Sequence, residues 1–326
     1  MLSVVVPHYR DLSGLQRLLA SIELERAKSG APLSVTVVDD ASPGLGDALR
    51  RSVRQRPWVN LLIQSENRGP AAARNRGARE SHAEWIWFLD ADVSLRPGAV
   101  AGMVSVLGSV ATAGVLCGVE PKDPAGDSFR RYKNYLEFAW QPGEGESRSM
   151  DSKSFAIRRE IFWAVGGFDE RLREAGVEDY ELAYRLFDAG HRIHFTHHAR
   201  ITHRHPTFLR QGRLFYERAR DWMALKSTYG YQFDEFGTSA HQAVVELVCF
   251  AILLAFAAAL WWPPALIVGL ALLVVWAGLE RRTLSLLAHS GEKPAFFARF
   301  LFYSCALSAP VVTGAAVGLV RAKVRR

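Results

Sequence analysis

Apolar residues along the first ninety positions fall in short bursts separated by polar, helix-spaced stretches. Leu2 to Val6 reads as a strand stopped by Pro7. Leu12, Leu15, Leu18, Leu19 and Ile22 then recur on one face of a helix. Leu33 to Val38 is a second β-rich run, Asp47 to Gln55 predicts a helix, and Val59 to Ile63 is a third strand. An Ala-rich helix covering Arg74 to Glu80 enters after Gly69-Pro70, and Glu84 to Leu89 is a fourth strand. Farther on, residues 191–195 and 200–203 alternate polar and apolar, which predicts two strands with polar outer faces.

Strands alternating with helices need crossover connections, so the pattern predicts an α/β domain with a Rossmann-like, mostly parallel sheet covered on both faces. Ligands bind such sheets beyond the carboxyl ends of the strands. Pro7, Asp39-Asp40 and Asp90-Ala91-Asp92 all fall at those ends. The last is the sharpest signal. The run Trp85-Ile86-Trp87-Phe88-Leu89 ends abruptly in two carboxylates, which extended backbone turns to one side. Two such charges repel unless a cation or a hydrogen-bonded ligand lies between them.

The pattern changes after about residue 205. Phe208 to Tyr229 mixes aromatic and basic residues, as in a helix lying on a membrane or covering a sheet. Val244 to Trp262 is apolar and long enough to span a bilayer, Pro263-Pro264 makes a turn, and Ala265 to Leu279 returns. Phe300 to Val320 is a third apolar run. The expected organisation is an α/β domain at 1–205, an amphipathic juxtamembrane linker at 206–240, and a membrane anchor of two or three hydrophobic helices at 241–326. Glu280-Arg281-Arg282 marks a cytoplasmic end. A third crossing would carry Arg321, Lys323, Arg325 and Arg326 to the outer face, against the positive-inside tendency, unless the run re-enters around Pro310.

Charge and cysteine content sharpen this picture. The formal net charge is +7, and five of those excess charges lie in the apolar tail, where they suit an anionic membrane surface better than nucleic acid. Cys117, Cys249 and Cys305 have no metal-ligand spacing, so buried free thiols are expected. The chain enters its first strand without a basic or long apolar leader. The expected location is therefore the inner (cytoplasmic) membrane, multi-pass, with the α/β domain in the cytoplasm.

Val4-Val5-Val6-Pro7, Val37-Val38-Asp39-Asp40-Ala41-Ser42, Asn67 to Gly77 and Phe88-Leu89-Asp90-Ala91-Asp92 occur in order, followed by Gly166-Gly167-Phe168-Asp169-Glu170 and Glu178-Asp179-Tyr180. Together they resemble the family 2 glycosyltransferases, which are inverting enzymes with the GT-A nucleotide-diphospho-sugar transferase fold. The resemblance covers residues 1 to about 205. It implies a nucleotide-sugar donor, with UDP-sugars first among the candidates, and Mg²⁺ or Mn²⁺. Pro7, Tyr9, Asp39, Asp40, Asn67, Gly69, Arg74 and Asp90 would bind the donor. Asp40 would read the base, and Arg74 would lie near the base and diphosphate. Asp92 would bind the metal, with Asp90 and His203 beside it. Asp179 would be the catalytic base, with Glu178 and Glu181 as rivals. Arg10 stands where the family usually has Asn, and Ser152-Lys153-Ser154-Phe155 replaces a stretch that usually contains Gly or Asn.

The apolar tail adds the membrane as a partner and makes a lipid-linked or glycan acceptor the expectation. The competing readings are a nucleotidyltransferase, which leaves Glu178-Asp179 and Gly167-Phe168-Asp169 without a role, and a non-catalytic sugar-nucleotide sensor or membrane scaffold.

Overall fold

The computed structural model describes residues 2–120, 127–148, 150–173, 176–229 and 240–324. The chain divides into two compact units, one of Met1–Glu120 with Pro142–Arg204 and the other of Pro121–Gln141 with His205–Arg326. The second unit thus draws a segment from the middle of the chain.

The first unit begins β1 (Leu2–His8), α1 (Leu12–Ser29), β2 (Leu33–Asp39), α2 (Gly46–Arg54), β3 (Val59–Ile63), α3 (Pro70–Arg79) and β4 (Trp85–Leu89). β1 pairs in parallel with β2 and β4, and β2 pairs in parallel with β3. Two-residue periodicity divides each strand between two cores. Val4, Val6, Trp85, Trp87 and Leu89 pack on one side with Leu15, Leu18, Leu19 and Ile22 of α1. Val5, Ile86 and Phe88 pack on the other with Ala71 and Ala78 of α3. Each buried Leu, Ile or Phe contributes roughly 1.5–3 kcal/mol by leaving water.

β1 does not stop at Pro7. It stays paired with β2 through His8↔Asp39, whereas its pairing with β4 ends at Val5↔Phe88. The His8 carbonyl accepts from Asp40 N on the β2 side. Pro7 therefore directs its missing N–H toward β4, beyond the last paired residue, and the ladder loses no bond.

The sheet continues with β5 (Val93–Leu95), α4 (Ala99–Ser109), β6 (Gly114–Val119), β7 (Gly145–Ser147), β8 (Ser154–Arg158), α6 (Arg159–Ala164), α7 (Glu178–Asp188) and β9 (Ile193–His203), with α5 (Ser128–Ala139) belonging to the second unit. The strand order is β3-β2-β1-β4-β8-β6-β9-β5, with β7 on β9. The parallel expectation holds for the first four strands. β8 runs antiparallel between β4 and β6, so the second half of the sheet is mixed. Residues 193–203 form one strand rather than two. Its register on β6 shifts at Cys117/Gly118, where a bulge absorbs the polar stretch that the alternation read as a break.

All three cysteines are free and buried. Burial pushes the Cys117 thiol up to about 12, with Ser154 and Trp87 acting in the opposite direction. At pH 8 the thiolate fraction is then about 10⁻⁴, and the thiolate is the reactive form. Peptide mapping after iodoacetamide treatment at pH 8 should find Cys117 unmodified in the folded protein and modified after denaturation.

The second unit packs α5 with α8 (Phe208–Tyr229), α9 (Ala240–Ala258), α10 (Ala265–Leu279), α11 (Arg281–His289) and α12 (Pro294–Val324) around Phe129, Tyr132, Trp276 and Phe300. α9 and α10 form the expected hairpin about Trp261-Trp262-Pro263-Pro264, with Gly269 against the Phe256 ring. By length and composition, two of the described helices could cross a membrane, Ala240–Ala258 and Pro294–Ala322. α12 is continuous through Pro310, so the chain does not re-enter there. The Pro310 ring lies beside Gly212 of α8. Within the expected 206–240 linker, residues 230–239 lie outside the described residues, as do Arg325 and Arg326 of the basic tail.

Candidate active site

The carboxyl ends of β1, β2 and β4 bring the predicted donor residues to one sheet edge. At β2, Asp39 accepts from His8 Nδ1 at 2.8 Å and from Ser42 N at 3.0 Å. Asp40 is 3% exposed and braces the following loop, accepting from Gln64 Nε2 at 2.6 Å, Arg68 N at 2.8 Å and Gly69 N at 2.8 Å. Asn67 Nδ2 donates to the Asp40 carbonyl at 3.3 Å. Much of Asp40's acceptor capacity is therefore spent on backbone and side chains of this chain.

Arg10 and Ala41 are the non-glycine residues with positive φ among the described residues, at 62° and 56°. Arg10 N donates to Ser42 Oγ at 2.8 Å, tying the two turns together beside the site. Backbone held in this region is strained and persists only where its surroundings fix it. Tyr9 is exposed, with the Arg10 guanidinium 4.9 Å from its ring centre.

Gly69 has φ of 89°, and a Cβ there would run into the backbone of Arg173. Gly69→Ala should therefore displace the loop that Asp40 holds. A drop in donor affinity with a lowered Tm would check this.

Arg74 lies on α3 and is buried. Its guanidinium reaches Glu178 Oε1 at 2.9 Å and Asp90 Oδ1 at 2.7 Å, and stands 5.3 Å from the Phe168 ring centre. Burial works against the charge on Arg74, but Asp90 and Glu178 outweigh it and hold the guanidinium protonated. Arg74 thus joins the end of β4 to the start of α7.

Burial raises the Asp90 carboxyl above the usual carboxylate range. Arg74 lowers it, while Asp92 and Asp151 add to the rise. Asp92 follows on β4's exit, and the pairing Val93↔His203 places His203 Nε2 3.7 Å from Asp92 Oδ2. The Asp92 carboxylate and the His203 imidazole so placed, with Asp90 two residues before, are ligand types that suit a hard or borderline divalent ion.

The antiparallel β8 brings residues 151–153 to the same edge, with Leu89↔Ser154 in register and Asp90 N donating to the Lys153 carbonyl at 3.0 Å. Lys153 Nζ pairs with Asp151. Ser152 N donates to Asp179 Oδ2 at 3.3 Å, which links the first turn of α7 to this loop. The structure therefore gathers Asp90, Asp92, His203, Arg74, Glu178 and Asp179 around the ends of β4, β8 and α7.

Sequence reasoning named neither Asp151 nor the Arg74–Glu178 pair. Asp151 stands just before a strand, the mirror of the signal that exposed Asp90. A buried ion pair 104 residues apart in sequence leaves no local pattern.

A profile of the family described as "Glycosyl transferase family 2" matches residues 3–166, and one described as "Glycosyltransferase like family 2" matches 146–231. The chain belongs to glycosyl transferase family 2. It is 30% identical over 238 residues to the pre-mycofactocin glycosyltransferase of Mycobacterium tuberculosis, covering 70% of this chain and 46% of that protein. It is 25% identical over 197 residues to glycosyltransferase AglE of Haloferax volcanii, covering 60% and 64%. The chain spans about half the length of the mycobacterial relative.

Among solved structures, GalNAc-T7 with UDP, GalNAc and Mn²⁺ superposes with a TM-score of 0.51 at 19% identity, covering 64% of this chain and 43% of that one. The mannosyltransferase PcManGT of Pyrobaculum calidifontis, in complex with GDP-Man and Mn²⁺, gives 0.50 at 22%, covering 99% and 86%. These likenesses establish the GT-A fold. This member of the family therefore has the expected fold, followed by helices apolar enough to be candidates for a membrane anchor.

Proposed function

We propose that this protein is a membrane-anchored, inverting glycosyltransferase that moves a sugar from a nucleoside-diphosphate donor to a lipid-linked or glycan acceptor at the cytoplasmic face of the inner membrane. The observation that carries this reading is the convergence of Asp90, Asp92 and His203 with Asp179 at one sheet edge. Within the chain, 1–205 would supply catalysis, 206–240 the juxtamembrane linker and 241–326 the anchor. Relatives solved with UDP or GDP-Man support a nucleotide-sugar donor, with UDP-sugars the first to try.

Asp92, Asp90 and His203 would hold Mg²⁺ or Mn²⁺, a Lewis acid for the diphosphate leaving group when bound. The loop carrying Asn67 and Gly69, fixed by Asp40, would receive the nucleoside together with Pro7, Tyr9 and Asp39. Arg74 would act from beneath, holding Asp90 toward the donor. In the transfer itself the acceptor oxygen forms a bond to the anomeric carbon as the bond from that carbon to the phosphate oxygen breaks. The acceptor proton passes to Asp179, and the nucleoside diphosphate leaves. A single displacement inverts the anomeric centre.

Glu178 and Glu181 are committed to Arg74 and Arg185, which favours Asp179 as the base. Its place in the first turn of α7 favours the ionised form by roughly 0.3–1 kcal/mol.

The test is incubation of membranes containing the protein with labelled UDP-, GDP- and dTDP-sugars, followed by analysis of lipid and aqueous extracts. One donor should transfer label, and chelator should abolish the transfer. Label that never leaves any donor, with or without added Mn²⁺, would overturn the enzymatic reading in favour of a scaffold.

A further inference from the structure

The helices of the second unit restrict which apolar segments can enter a bilayer. α8 and α12 lie side by side and run in the same direction. Phe208 meets Phe302 and Tyr303, Gly212 faces Leu307 and Pro310, the Tyr216 carbonyl meets Gly314, and the Arg220 carbonyl meets Gly318. A Cβ at Gly314 or Gly318 would overlap those carbonyls, so the two glycines, one helical turn apart, seat the backbones in direct contact.

α8 is strongly charged over the same stretch. Arg210, Arg213, Glu217 and Asp221 recur at helical spacing, Arg213 pairs with Glu217 at 2.8 Å, and Arg210, Arg213 and Arg218 are exposed. If residues 302–320 of α12 crossed the hydrocarbon core, these side chains would be carried to the same depth. A bilayer strongly disfavours exposed charge there.

The α9–α10 hairpin is the opposite case. Between Glu246 and Glu280 it has no Asp, Glu, Lys or Arg. Leu253, Leu254, Leu260, Trp261, Trp262, Ile267 and Val274 are exposed along it, Trp261 to 82%.

We propose that the hairpin alone enters the bilayer among the described helices, while α12 lies with α8 along an anionic lipid surface. α12 offers the lipid a stripe comprising Ala298, Phe302, Ala306, Ala309, Thr313, Ala316 and Val320, of which Phe302 and Val320 are 60% and 62% exposed. At 31 residues α12 is about 46 Å long, well beyond the ~30 Å hydrocarbon core and suited to an in-plane course. Arg210 and Arg218 bring charge complementary to anionic headgroups. The end of α12 then lies on the same side of the membrane as α8, and the basic residues near it no longer conflict with the positive-inside tendency. This inference rests on the membrane reading above.

The test uses the full chain with Cys117→Ser, Cys249→Ser and Cys305→Ser in sealed vesicles containing anionic phospholipid, carrying one new cysteine at a time. A membrane-impermeant maleimide added to one side should label Lys28→Cys, Arg213→Cys and Arg321→Cys together. A bimane probe on Phe302→Cys should be quenched by nitroxide lipid. Labelling of Arg321→Cys only from the side opposite Arg213→Cys would show that α12 crosses and overturn the inference. So would an unquenched Phe302→Cys, including one buried against a second copy and detected as a crosslinked dimer. Release of the whole chain by alkaline carbonate would overturn the membrane reading itself, a separate result from misplacement of α12.

Discussion

Asp179→Asn is expected to cut sugar transfer by roughly 10²–10⁴-fold, the usual contribution of a positioned acid–base group, while nucleotide-sugar binding stays nearly unchanged. The two readouts separate because Asp179 and the donor residues belong to different elements. Asp179 opens α7 and is tied to the β8 side through Ser152 N. The donor edge is built from β1, β2, the Asp40-braced loop and β4. Asparagine has the same shape, and its single oxygen can keep the shorter bond, from the Tyr180 amide at 2.9 Å, while the 3.3 Å bond from Ser152 N to the other carboxylate oxygen is given up. The first turn of α7 should hold its form through the Tyr180 amide, and the ability to take a proton is lost. Isothermal titration with the donor, beside transfer assayed by product release, would check both halves. Unchanged transfer would remove Asp179 from its role and point to Asp151, the other carboxylate brought to this edge by β8. NMR of the product should show an inverted anomeric configuration, and retention would rule out the single displacement whichever carboxylate acts.

Asp92→Ala tests the other end of the site. Asp92 and His203 approach only because β5 and β9 pair antiparallel. The substitution removes one carboxylate from a pair that sequence alone put on one side of the backbone. Transfer should fall by at least about tenfold, the lower end of effects seen at metal-ligand surroundings, and the Mn²⁺ concentration giving half-maximal rate should rise. A variant with wild-type metal dependence would free Asp92 from that role.

The site was legible where its signals were local. The apolar run at 85–89 must be a buried strand, and its end at Asp90 marks the sheet's working edge before any contact is known. The leucines of α1 gave its buried face for the same reason. Long-range pairings were not legible. The alternation at 191–203 showed two polar-faced segments, yet a bulge at Cys117/Gly118 lets one strand carry both. Pro7 looks like a strand terminator until β4 is seen to part from β1 after Val5. Pro310 looks like a break, yet α12 runs through it. The first two turn on a partner strand distant in sequence, and neither periodicity nor propensity reports such a neighbour. The placement of α5 in the second unit belongs here too, since its aromatic face is completed by residues beyond 240, including Phe296, Phe300 and Tyr303.

Arg74 shows what this blind spot conceals. The resemblance put it near the base and diphosphate, and the structure buries it to 3% exposure between carboxylates 16 and 104 residues away. Arg74→Met should therefore act first on the protein itself. Removing one partner of a buried ion pair costs about 3–5 kcal/mol because the other charge is stranded, and the Glu178 side chain is only 4% exposed. The Tm of the detergent-solubilised chain should drop sharply at neutral pH. Arg74→Met with Glu178→Gln should recover much of the stability, because a neutral amide can remain buried and still accept the Gly176 amide that Glu178 now holds at 2.8 Å. It should not recover transfer, because Asp90 would still lack the guanidinium that fixes it. Restored stability without restored activity is the pattern required of a residue that positions the donor edge. A single variant as stable as wild type would show that the buried pair is dispensable, and an active double variant would show that Asp90 keeps its place without Arg74.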